Sequence, residues 1–239
     1  MQIFPVAACL VGLSALLLGV VFFSSLRPRT PPAKGLADIE RIFCINLERE
    51  VTRKAHMEDL FARLGWKHLV EWVVPLEAPT GEASLLRTHL LLLERIAACP
   101  RLTAWTLVFE DDAELAHGVS PAEGKALLER CLGELSPEGP HVTMGACLKD
   151  AADDGLCRPG GCVSWCTHAL AFTPSRARAV LRALRGAVGP IDGLLRVRCP
   201  PPTIVGHEFW HDHEHPFWRG LFFQHRSAAW YQGSSIVST

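Results

Sequence analysis

The sequence predicts an α/β domain of about 200 residues, in which a buried sheet is flanked by helices, behind an N-terminal membrane span. Two observations lead to the domain. Short β-branched and aromatic runs alternate with segments of helical apolar spacing. One such run, Trp105 to Phe109, ends in three consecutive carboxylates, Glu110, Asp111 and Asp112, at the strand end where open α/β sheets bind ligands. A third observation leads to the span: Ile3 to Phe23 carries no charge and is long enough for one transmembrane helix.

The uncharged stretch follows Met-Gln rather than a basic start and exceeds a signal-peptide core, which favours an uncleaved anchor over residues 1–25. A Pro-rich basic stem covers 26–38, and 39–239 form the domain. Orientation is drawn two ways. Arg27, Arg29 and Lys34 would keep the downstream side cytosolic, although long domains translocate regardless of flanking charge. Nine cysteines, three of them at Cys157, Cys162 and Cys166 in a Gly-rich loop, suit a disulfide in an oxidising lumen. Free thiols are the plain alternative; structural zinc fits the spacing poorly. With 24 basic against 25 acidic residues and no basic stripe, nucleic acid is not an expected partner.

Within the domain, Arg41 to Leu47 reads as a first buried strand. Met57, Leu60, Phe61 and Leu64 recur at helical spacing, and Gly65 stops that helix. His68 to Val74 reads as the second strand, Pro79-Thr80-Gly81 as a turn, and Glu82 to Ala98 as a buried apolar helix. After the acidic strand, Ser120-Pro121-Ala122-Glu123 opens a helix with a capping box; its inner stripe is Leu127, Leu128, Cys131 and Leu135. His141 to Met144 is a short strand, and Thr167 to Thr173 another. Thr173-Pro174 begins a helix that faces Ala177, Val180, Leu181 and Leu184 inward before Gly186. Gly220 to Gln224 is a last short strand.

Two stretches could carry chemistry. Adjacent acids repel unless something cationic sits among them, and a hard divalent metal with a phosphate substrate is one answer. A solvated acidic turn is the other. His207-Glu208-Phe209-Trp210-His211 fits the His-Glu-x-x-His pattern of zinc hydrolases, which needs a helix. Gly206, Pro200 to Pro202 and Pro216 interrupt that helix, so a His-rich loop is the simpler reading. No nucleophile elbow and no Gly-rich phosphate loop is present.

The order of segments resembles glycosyltransferase family 25. Ile42 to Leu47 with Arg49 and Arg53 resembles its opening strand; Gly81-Glu82 through Thr88-His89 and Glu94-Arg95-Ile96 is similar to its Gly-Glu-x-Gly-Cys-x-x-Ser-His helix. Leu107 to Ala113 resembles its Glu-Asp-Asp block, and Thr167 to Pro174 through Pro190-Ile191-Asp192 its late strand, helix and corner. Leu221 to Gln224 with Ser234-Ser235-Ile236 is a weaker match to its ending. This chain departs from the pattern at Ser84-Leu85 and Thr88 and lacks the usual Arg pair.

The resemblance implies a GT-A-like single domain with a mixed sheet. It implies transfer of a hexose such as galactose from a nucleotide sugar, UDP-linked, to a glycan, lipid or protein acceptor. Mn²⁺ or Mg²⁺ would assist, in an enzyme facing the Golgi or endoplasmic-reticulum lumen. On that reading Asp112 and Glu110 hold the metal. Asn46, Arg49, Arg53, Glu82, His89, Glu110 and Asp111 line the donor site, and Asp192 takes the acceptor proton. His89 is equally readable as a core histidine, and Asp192 as a capping residue. A zinc hydrolase at the His-rich run and a glycan-binding domain without turnover are the alternative functions.

Overall fold

The computed structural model describes residues 36–115, 118–146, 157–158, 161–162, 167–199 and 221–224. The expected span and the His-rich run lie outside these residues, as do Cys147, Cys166 and the Ser234-Ser235-Ile236 ending. Among the described residues no helix is long and apolar enough to cross a membrane.

The chain alternates as the periodicity requires. Strand β1 (Ile39–Ile45) leads through helix α1 (Val51–Arg63) and a 3₁₀ turn (Lys67–Leu69) to β2 (Val70–Val73). Helix α2 (Gly81–Ala97) leads to β3 (Trp105–Glu110), followed by the short β4 (Ala113–Leu115) and helix α3 (Pro121–Glu134). Then come β5 (Val142–Thr143), β6 (Gly145–Ala146), β7 (Cys157–Arg158), β8 (Gly161–Cys162) and β9 (Ala169–Phe172). Helices α4 (Pro174–Ala183) and α5 (Ile191–Arg198) and strand β10 (Phe222–Gln224) complete the set.

Local chemistry sets the helix ends. Thr80, Ser120 and Thr173 each accept a hydrogen bond from the backbone N–H three residues on, satisfying a donor that the first turn leaves open. At Ser120 the reciprocal bond from its own N–H to Glu123 completes the capping box. Gly65 follows α1 with φ +70°, the left-handed conformation glycine adopts without a Cβ clash.

The central sheet has the order β2-β1-β3-β9-β5. Strands β1, β2 and β3 are parallel, and β9 runs antiparallel to both β3 and β5. It is therefore a mixed sheet, flanked by helices. Strands β4, β10 and β6 form a second, three-stranded sheet, and β7 pairs with β8 in a hairpin.

Alternation along the strands divides the core. Ile42, Cys44, Leu107, Phe109, Ala169 and Ala171 pack with α1, α3 and the second sheet. Phe43, Ile45, Val108, Leu170 and Phe172 pack with α2, α4 and α5. Phe109 joins the layers on the first face, with edge-on contacts to Phe61 at 5.3 Å and Phe222 at 5.0 Å between ring centroids. Ala37 and Asp38, assigned to the stem by composition, already belong to the domain. Ala37 is buried and donates to the Glu129 carbonyl, while the Asp38 carbonyl accepts from Trp105.

The order β2-β1-β3 fixes where a site can form. From β1 the chain steps outward to β2, then returns across β1 to β3. Crossovers of one hand taken in opposite directions put α1 and α2 on opposite faces, and sheets of this winding bind ligands at the C-terminal ends of the strands where the direction reverses, here β1 and β3. Asn46 follows one of those strands, and Glu110 ends the other.

Candidate functional site

The two strand ends are tied together directly. Asn46 Nδ2 donates to Asp111 Oδ2 at 2.8 Å and, at 3.3 Å, to the Glu50 carbonyl at the start of α1. Arg53, one turn into α1, places Nη1 3.2 Å from Asp111 Oδ1. Its Nε lies 3.9 Å from Glu50. Asn46, Arg53 and Asp111 are all buried. Burial raises the Asp111 carboxyl above its ordinary value; Arg53 and Asn46 oppose that shift, and Glu110 reinforces it. Much of the cationic compensation that three adjacent acids require is thus supplied by the protein itself, through Arg53.

Glu110 is governed by the opposite face. As the residue after Phe109 its side chain falls on the α2 side, where His89 Nε2 lies 3.5 Å from Oε1. The Thr167 hydroxyl donates to the same oxygen. The antiparallel pairing of β3 with β9 brings Thr167 there, and Glu110 N–H donates to the His168 carbonyl at 3.0 Å. Burial alone would raise the Glu110 carboxyl, but His89, Thr167 and His168 together hold it below its ordinary value. Glu110 is therefore kept as a carboxylate.

Asp112 stands in the turn between β3 and β4, only 8% exposed. That turn is anchored by His56, whose Nε2 lies 3.2 Å from the Ala113 carbonyl, and by pairing of β4 with β10. Beneath the acids lies Cys44. Burial first, then Asp111, Asp112 and Glu110, push its thiol well above the ordinary range, so it is a packing residue and not a nucleophile.

Three buried histidines back this edge. His168 Nε2 lies 3.3 Å from the Phe222 carbonyl, and burial lowers its pKa against the opposing pull of Glu110 and that carbonyl. His141 lies against Phe172, its ring centroid 6.2 Å away. Burial first, then the charges of Arg176 and His89, lower its pKa to about 4. His89 is buried as well.

The remaining sequence-selected residues are placed less centrally. Glu82 is exposed in the first turn of α2, two helical turns from His89. Arg49 is exposed and lies 3.6 Å from Glu50. Asp192 lies in the first turn of α5, and its Oδ1 accepts from Gly193 N–H at 2.7 Å, a local helix-start contact. Ile191 and Leu195 bury α5 on the α2 side of the sheet, the side to which Glu110 points. Among the described residues, Asp192 makes no hydrogen bond or ion pair with the acidic edge.

Sequence reasoning missed Thr167, His168 and His141 as site residues. By sequence Thr167 and His168 read only as part of a strand. What recruits them is antiparallel pairing across 57 residues of chain separation, which no local spacing encodes.

A divalent metal can be tested against this arrangement. Among the described residues, no group of three His, Cys, Asp or Glu side chains is placed to hold a metal ion. An all-protein cage is therefore not formed by them. Mg²⁺-type ions are more often held by one or two carboxylates together with substrate phosphates. Asp111 is committed to Arg53 and Asn46, and Glu110 to His89 and Thr167, so a metal held in that mode would draw on Asp112 and on whatever coordination Glu110 retains.

No protein-family model matches the chain, and no curated protein matches it. Among solved structures it is similar to the crystal structure of a glycosyltransferase involved in the glycosylation of the major capsid of PBCV-1. The sequences are 14% identical, the TM-score is 0.44, and the match covers 82% of this chain and 94% of that one. A likeness at that level fixes neither family nor chemistry for this chain.

Proposed function

We propose that the chain is a metal-assisted glycosyltransferase of GT-A-like fold, related to family 25, that transfers a hexose such as galactose from a UDP-sugar. The observation that carries this reading is the carboxylate edge, half-buried Glu110 with buried Asp111 and Asp112, at the C-terminal ends of the parallel strands β1 and β3. That is the position where sheets of this winding bind ligands.

The residues divide the work. Arg53 and Asn46 fix Asp111 and with it the turn that presents Asp112. His89 and Thr167 keep Glu110 ionised and oriented. Asp112 and Glu110 would hold Mn²⁺ or Mg²⁺, which when bound offsets the charge of the departing nucleoside diphosphate. Asp192, on the Glu110 side of the sheet, is the base that receives the acceptor hydroxyl proton. The acceptor is a glycan, lipid or protein, and the domain faces the lumen of the Golgi or endoplasmic reticulum.

Hydrolysis of UDP-galactose by the full chain with Mn²⁺ tests the assignment. Asp112→Ala should lower the rate by about 10²–10³-fold, the range for losing one transition-state charge partner. His207→Ala and His211→Ala should leave it nearly unchanged. Loss in the histidine variants with survival of Asp112→Ala would move the chemistry to a zinc hydrolase. Glycan binding with no turnover by the unmutated chain would instead indicate a domain that only recognises sugars.

A further inference from the structure

We propose that the groove between α2 and α4 binds a phosphorylated lipid, its phosphate held by Arg182 and Arg185 and the start of its alkyl chain lying on a leucine floor. The segment from Pro174 to Cys199 carries six arginines against a single acid, Asp192, in a chain whose net charge is -1. Three of the six, Arg178, Arg182 and Arg185, recur at spacings of four and three, which aligns them along one face at the end of α4. Like charges so spaced repel one another. The helix dipole favours cations in a last turn, yet it does not account for their alignment over an apolar groove.

That groove has a volume of about 440 Å³, within the range of roughly 300–1,000 Å³ typical of small-molecule sites. Leu90 of α2 with Leu181 and Leu184 of α4 supply its apolar lining, Leu184 buried and the other two half-buried. The guanidiniums have different roles. Arg178 is half-buried, and its Nη1 donates to the Ala97 carbonyl at 2.8 Å, closing the C-terminus of α2. Arg182 and Arg185 are exposed and, among the described residues, form no ion pair and no side-chain hydrogen bond. Glu94, on the α2 wall, is the carboxylate that lines the groove. Three guanidiniums facing one carboxylate leave the groove positive.

This chemistry selects the ligand. A guanidinium fork matches the oxygens of a phosphate. A free phosphate ion would leave the leucine surface to water, whereas an alkyl chain on the phosphate covers it. Val188, two residues beyond the groove residue Gly186, is 91% exposed and offers a longer chain further apolar surface. The inference is independent of the transferase reading, since no group of the carboxylate edge takes part.

The test titrates hexyl phosphate into the full chain in a neutral detergent, with EDTA present to remove metal-held phosphate at the carboxylate edge. Calorimetry reads the affinity. Hexyl phosphate should bind more tightly than inorganic phosphate or phosphoserine, and the uncharged hexyl glucoside should not bind. The double variant Arg182→Ala/Arg185→Ala should bind about 10-fold more weakly or worse, the effect of losing two charge-assisted contacts; both side chains are exposed, so the fold should be kept. Glu94→Gln, which removes the opposing charge, should tighten binding about threefold. Absence of hexyl phosphate binding, or undiminished binding by the double variant, would overturn the site, as would weaker binding by Glu94→Gln. Equal affinity for inorganic phosphate would overturn the lipid assignment, and so would tighter binding of phosphoserine, the mark of a phosphorylated protein partner.

Discussion

At the residue scale, the acidic edge stands because each carboxylate has a different partner. Asp111 is the structural member. Truncating one side of a buried ion pair strands the other, so Asp111→Ala should cost roughly 3 kcal/mol by removing the buried carboxylate that faces Arg53. Denaturant unfolding of Asp111→Ala beside Asp111→Asn, which keeps an acceptor, measures this, and the asparagine variant should lose less. His141 supplies a pH dependence whose sign follows from its depressed pKa. The folded protein holds it neutral until about pH 4, whereas the unfolded chain protonates it near its ordinary value of 6.5. Its contribution is therefore fully present above pH 6.5 and lost as pH falls toward 4, on the order of 3 kcal/mol in all. His168 shares the direction, and the raised carboxyl of Asp111 opposes it. Comparison with His141→Phe isolates the effect: the variant keeps the apolar contact with Phe172, and its stability should fall less steeply across that window. Parallel slopes would remove His141 from the account.

At the scale of elements, periodicity and capping chemistry located the helices well. Each of α1 to α4 begins or ends at a residue that carries the local reason, Gly65, Thr80, Ser120 or Thr173. Ser120→Ala should destabilise the domain by about 1 kcal/mol, since it removes the hydroxyl that accepts from Glu123 N–H. Thermal unfolding reads that loss, and Ser120→Asp, another good cap, should restore most of it. Gly124 marks a limit of such reasoning. A glycine inside α3 looks like a weak point, yet a Cβ there would stand 3.0 Å from the Leu115 side chain. The residue permits close approach of α3 to β4. Helix α5 was read only as a Pro-Ile-Asp corner, because eight residues give too few turns for periodicity to show. Strand β4 was hidden for the same reason: three residues, Ala-Glu-Leu, owe their strand state to pairing with β10 from the far end of the chain. The inner stripe of α3 also shifted, with Leu132 buried and Leu127 and Leu135 only partly so.

At the scale of the molecule, the sequence made the acidic edge legible but not its surroundings. Trp105 to Phe109 running into three acids announces a strand end. That Asn46 and Arg53 reach Asp111, and that Thr167 reaches Glu110, depends on the order β2-β1-β3-β9, which is set by non-local pairing. The same order gives the site its asymmetry, with Arg53 supplied from the α1 face and His89 from the α2 face.

The orientation of the domain relative to a membrane turns on two opposed features. The basic residues after the expected span, Arg27, Arg29 and Lys34, favour a cytosolic domain. The cysteine-rich stretch from Cys157 to Cys166 favours an oxidising compartment, where a disulfide would persist. Charge flanking a span exerts a bias that long translocated domains override. The proposed luminal placement of the domain follows the second feature. Protease added to intact microsomes bearing the full chain should spare the domain and digest it once detergent opens the vesicles. Complete digestion without detergent would place the carboxylate edge in the cytosol and overturn the luminal proposal.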